Sequence, residues 1–148
     1  MATTRRMALA LPALLALSAC ASTGNLSDEH KLALYESAAG APVSSFQYFG
    51  SINGWTSLGD SAIALWTRPN QAWLLDLYGP CQDIEFTPVI SVTNQMGRVS
   101  ARFDKVIARS GSSLDIPCSI RQIRPLDVKQ VKAAEKQARE AQEASSGT

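Results

Sequence analysis

Three aspartates, Asp60, Asp83 and Asp104, stand where carboxylates could do acid–base work. Two carboxyl groups catalyse together when their surroundings hold one protonated and the other charged. The fold must therefore bring them together, and nothing in their spacing does so. The single histidine, His30, has no second histidine to complete a metal site and reads as a solvated helix residue. The chain carries no G-x-S-x-G, H-E-x-x-H, phosphate-loop or dinucleotide fingerprint. These residues point to no catalytic centre, no metal and no cofactor, and the expectation is a protein that is not an enzyme.

Two other residue sets could bind rather than react. Arg98, Arg102, Arg109, Arg121 and Arg124 could make a basic strip for phosphates of a lipid or for other anions. Arginines that alternate outward on a strand are ordinarily a solvated face, which is the competing reading. Trp55, Trp66 and Trp73 could stack on the rings of a glycan. On a sheet interior tryptophans are more often core, because they bury large apolar area. Arg98, Arg102 and the three tryptophans are the candidate anion or glycan contacts.

The start of the chain says where such a domain would work. "MATTRR" carries two positive charges, Met7 to Leu17 is apolar, and Ser18-Ala19 supplies small residues before Cys20. That order is a secretory signal, and the apolar run falls short of the ~20 residues of a membrane span. Leu17-Ser18-Ala19-Cys20 resembles the lipobox of bacterial lipoproteins, in which the cysteine thiol is acylated and the chain is cleaved just before it. In such proteins an aspartate after the cysteine favours the inner membrane. Ala21 therefore implies the outer membrane, periplasmic side, and more than one acyl chain makes a lasting anchor. The expected organisation is a signal peptide at 1–19, a flexible tether at 20–26, one β-rich domain with a leading helix at 27–126, and a charged helical tail at 127–148.

Cleavage would leave lysine and arginine reduced from 14 to 12, against 13 acidic residues. A near-neutral chain argues against nucleic-acid binding, which calls for a basic surface. Of the three cysteines, lipid would occupy Cys20, leaving Cys81 and Cys118 to pair in the oxidising periplasm. A cysteine nucleophile is the weaker alternative, since His30 sits beside the tether.

The elements that must position these residues are mostly strands. "LSDEHKLALYESAAG" reads as a short helix capped by Ser27 and stopped at Gly40, with Leu32, Tyr35 and Ala39 on one face. From Phe46 the period falls to two. Strands are expected at about 53–58, 61–67 and 72–78, joined by a two-residue turn at Gly59-Asp60 and a four-residue connection, Arg68-Pro69-Asn70-Gln71. This register sets Trp55 against Ala64 and Trp66 against Trp73. It gathers all three tryptophans, Leu75 and Leu77 on one side, with Leu58, Ile63, Leu65 and Leu74 on the other. Val99, Ala101 and Phe103 alternate inward with Arg98, Ser100 and Arg102 outward. "KVIAR" and "CSIRQIR" read as further strands, closed by Pro125. The tail is helical by propensity, with favourable pairs Glu135–Arg139 and Lys136–Glu140 on a largely solvated helix.

"AGAPVSSFQYFG", "GWTSLGD", "ALWTRPNQAWLLDLYGPC" and "GRVSARFDKV", with Cys118 and "IRPLD", resemble an uncharacterised proteobacterial lipoprotein family over about residues 35–127. The resemblance implies a small secreted two-cysteine domain, with the tail as an extension, and implies no activity. The combined expectation is a mainly β fold, a small antiparallel barrel or curled sheet with a short N-terminal helix and a C-terminal helical tail. It would be anchored in the membrane through its N-terminal lipid and bind an envelope protein or glycan. A small-ligand binder or inhibitor is the alternative, and a hydrolase comes third.

Overall fold

The computed structural model describes residues 26–109, 111 and 115–147; the segment 1–19 expected to be a signal peptide, Cys20 and most of the expected tether lie outside them. Helix α1 (Asp28–Ser37) starts at the expected cap, where the Ser27 hydroxyl accepts from the His30 amide at 3.4 Å. Asp28 and Glu29 sit at its positive end. Then come β1 (Ser45–Gln47), β2 (Gly54–Ser57), β3 (Ala62–Arg68), β4 (Gln71–Leu77), β5 (Ile90–Val92), β6 (Arg98–Ser100), β7 (Lys105–Ala108) and β8 (Pro117–Leu126), followed by helix α2 (Val128–Ser146).

Six strands form one curled antiparallel half-barrel in the order β2-β3-β4-β8-β7-β5. The β1–β6 pair is a separate two-stranded ribbon. Its Phe46 and Val99 pack with Tyr48 against the inner face of the half-barrel, on Ile63, Leu65, Leu75, Leu77, Ile120 and Ile123. The outer face is floored by Ala62, Ala64, Ala72 and Leu74, and is covered by α1 and the first turn of α2 through Tyr35, Ala38, Val128 and Val131. Cys81, after β4, and Cys118, at the start of β8, form a disulfide with Cα atoms 5.7 Å apart. The pairing of these two cysteines is the one expected from the sequence.

Two turns differ from expectation, and the sheet's faces follow. The Leu58 amide donates to the Ala62 carbonyl at 3.0 Å, so the first hairpin loop holds three residues, Gly59-Asp60-Ser61, not two. In the second hairpin Arg68 pairs with Gln71 around Pro69-Asn70, and Thr67 bulges before Trp66 pairs with Ala72. The bulged hydroxyl is used: it donates to Gln71 Oε1 at 3.1 Å and accepts from Trp73 Nε1 at 3.3 Å. Each change slips the register by one residue, which exchanges faces. The two slips cancel between β2 and β4, so β3 alone is flipped. Trp55 and Trp73 share the inner side with Ile63 and Leu65, whereas Trp66 lies on the outer side. The three tryptophans do not share a face.

Three further expectations are corrected. Strand β6 stops at Ser100, because the Asp104 carboxylate accepts from the Ser100 amide at 2.8 Å and from Thr93 Oγ1 at 2.7 Å. The chain turns there, Arg102 takes a left-handed φ of 70°, and Phe103 points outward, 74% exposed. Pro125 lies inside β8 opposite Trp73 instead of ending the sheet. Helix α2 is docked at its start, where Asp127 caps it and Val128 and Val131 are buried. Lys136 and Glu140 approach to 3.8 Å as expected, but Glu135 accepts a hydrogen bond from the Tyr35 hydroxyl at 2.5 Å.

Candidate functional site

Strand β8 is paired with β4 along one side, and along the other it changes partner partway. Its first residues pair with β7. At Ile120 the partner becomes the turn after β6: the Arg102 amide donates to the Ile120 carbonyl at 2.7 Å, and the Ile120 amide to the Asp104 carbonyl at 3.0 Å. Farther along, Val43 donates to Ile123 at 2.9 Å and Gly40 to Pro125 at 2.8 Å. Between these two partners Arg121 and Gln122 border a groove of about 540 Å³. The segment Pro42–Ser45 forms one wall and Ser100–Phe103 the other, tied by the Ala101 amide donating to the Ser44 carbonyl at 3.0 Å.

The five arginines of the sequence strip separate into distinct environments. Arg124 is held on the outer face between Asp76 at 3.3 Å and Glu36 at 3.4 Å. Arg109 pairs with Asp115 at 3.0 Å and reaches Ser91 Oγ at 3.2 Å. Arg98 donates to Ser45 Oγ at 3.1 Å, beside the groove. Arg102 and Arg121 both line the groove, and neither guanidinium has a hydrogen-bond or ion-pair partner among the described residues. Among the described residues no carboxylate lines it with them. Asp104, next to Phe103, is buried and turned inward onto Thr93 and Ser100. The groove is thus a concave surface with two free planar cations, several hydroxyls and one exposed aromatic ring.

The tryptophans are elsewhere. Trp73 stacks on Phe46 with ring centroids 4.7 Å apart, and Trp66 meets Tyr35 edge-on at 6.1 Å. Each is half-buried and used in packing. The carboxylates divide as well. Asp60 and Asp83 do line one pocket with Glu85, of about 210 Å³ beside Phe86, but all three are exposed, and Asp104 lies apart. Among the described residues no group of three His, Cys, Asp or Glu is placed to hold a metal ion. Burial, reinforced by the Glu135 carboxylate, pushes the Tyr35 phenol well above its ordinary pKa, and burial raises Tyr48 too. Neither phenol lines the groove. Cys20 lies outside the described residues.

Phe103 and the serines of the groove were missed in the sequence. The alternation that placed Phe103 inside holds only while the strand lasts. The one local signal of its ending is Asp104, a residue type that closes turns onto backbone amides.

A model described as a family of unknown function (DUF6491) matches residues 3–142. That span exceeds the segment 35–127 on which the motif resemblance rests. It takes in most of α2, so the tail belongs to the family's common length and is no extension. No curated protein and no solved structure matches the chain.

Proposed function

The chain belongs to this family of unknown function, and we propose that it is a lipid-anchored envelope protein that acts as a non-catalytic contact module through the β8 groove. In this reading Cys20 carries the lipid and the outer membrane of a proteobacterial cell holds the domain on its periplasmic side. The groove receives an envelope component, and a glycan suits its lining better than a protein. The observation that supports contact at this place is the pair Arg102 and Arg121, left unpaired on one concave surface while Arg109 and Arg124 are neutralised. Unpaired cations without a neighbouring carboxylate attract anionic groups over the range of a Debye length.

Packing weighs against a ligand held between the sheet layers, since Phe46, Leu65, Leu75 and Ile123 fill that space. One observation favours a hydrolase, the gathering of Asp60, Asp83 and Glu85 at one pocket. All three are exposed to solvent, whereas carboxylates that share acid–base work sit in contrasting surroundings.

Two measurements test the reading. Wild-type protein should take up labelled palmitate and Cys20→Ala should not. A photo-crosslinking residue at Phe103 should capture an envelope component in intact cells, and the same residue at Asn70, an exposed turn position, should not. Equal capture at both positions, or at neither, would sink the contact role of the groove.

A further inference from the structure

We propose that the groove is a binding site for an oxyanion-bearing saccharide, a sugar ring that carries a phosphate or a carboxylate. Each part of such a ligand has a counterpart in the groove. A guanidinium presents a planar fork of donors that matches phosphate and carboxylate oxygens, and the forks of Arg102 and Arg121 are unoccupied. Ring hydroxyls need short polar partners, which Ser44, Ser45 and Gln122 supply along the lining. The apolar face of a sugar ring stacks on an aromatic, and Phe103 stands exposed at the rim. The groove's volume, about 540 Å³, falls within the roughly 300–1,000 Å³ of small-molecule sites.

The backbone adds an independent observation. Arg102 holds a φ of 70°, a conformation that suits glycine and disfavours a long side chain. Strain of this kind gathers where a side chain must be aimed. Here it sits on the residue whose cation faces the groove, at the turn fixed by Asp104.

This inference rests on the groove being the contact surface, and not on the lipid anchor. The test is titration of the purified full chain, ¹⁵N-labelled, with glucose 6-phosphate, glucuronate, glucose and inorganic phosphate. Amides of Ser100–Phe103 and Arg121–Gln122 should shift with the first two probes, at affinities roughly tenfold above those for glucose and for phosphate alone. The stronger of the two tells whether a phosphate or a carboxylate is preferred. Arg121→Ala and Arg102→Gly should each weaken binding by about tenfold. Because glycine relieves the left-handed strain, Arg102→Gly should keep or raise the unfolding midpoint, which separates lost binding from lost fold.

Glucose binding as tightly as its phosphate would overturn the inference, as would full affinity in Arg102→Gly or shifts confined to other surfaces. Inorganic phosphate binding as tightly as glucose 6-phosphate would overturn the saccharide. If no sugar binds while the Phe103 crosslinker still captures an envelope component, this inference falls and the contact-module reading stands.

Discussion

Seen from its two sides, the half-barrel carries large aliphatic residues on one face and alanines on the other. On the inner face Ile63, Leu65, Leu75, Ile120 and Ile123 are fully buried, Phe46 lies on Trp73, and the Cys81–Cys118 bridge ties the layer at one end. On the outer face Ala62, Ala64 and Ala72 make a shallow floor, so α1 and the start of α2 lie close to the strands. Bulk there comes from a few side chains, chiefly Tyr35, Leu74, Trp66 and Val131. Polar locks supplement it, Arg124 between Asp76 and Glu36, and Tyr35 on Glu135. The inner face is held by volume and a covalent link, the outer by close approach and a handful of directed contacts.

Breaking the covalent link should have the largest effect. The double variant Cys81→Ala, Cys118→Ala frees a loop of 37 residues' separation and should cost about 4 kcal/mol in urea unfolding. A loss near zero would show that burial alone holds the inner face. Volume comes next. Ala64→Leu, placed under the helices, should cost roughly 2–3 kcal/mol by overpacking, whereas Leu65→Met on the adjacent inner position should cost less than about 1.5 kcal/mol. Equal costs would erase the contrast between the faces. Arg124→Met should cost about 2 kcal/mol, by leaving the buried Asp76 carboxylate unpaired. This figure lies below the range for fully buried pairs because the arginine retains some solvent contact.

The smallest effect expected is that of Tyr35→Phe, about 1 kcal/mol for one lost hydrogen bond. It also carries a pH signature. Burial first, and then Glu135, holds the folded-state phenol above its unfolded value. The folded chain thus keeps this proton more tightly than the unfolded chain. The contribution is complete below about pH 10 and is lost as pH rises beyond it. Chemical unfolding followed from pH 8 to 11 should show the decline in wild type, with a shallower one in Tyr35→Phe. Parallel curves would remove Tyr35 as the source.

What the sequence disclosed depended on how local the determinant was. The pairing of Cys81 with Cys118 followed from counting, and most strands from alternation and turn residues. The faces of β2 and β4 came out correctly relative to each other, because two errors of one residue cancelled across β3. Those errors lay in the turns, where a third loop residue and a bulged threonine leave no distinct mark on composition. The groove was beyond reach for a different reason. Arg102 sits in a turn and Arg121 on a strand, and they meet only because β8 exchanges one partner for another between Ile120 and Ile123. Partner exchange is a property of the assembled sheet, and no window of sequence contains it.

The flipped β3 also gives the molecule optical reporters on separate layers. Trp66, edge-on to Tyr35, has its surroundings set by the seated helices, while Trp55 and Trp73 belong to the interior beneath the ribbon. An emission change in protein that keeps only Trp66 would time the lifting of the helical cover, separately from collapse of the strands, without any added dye.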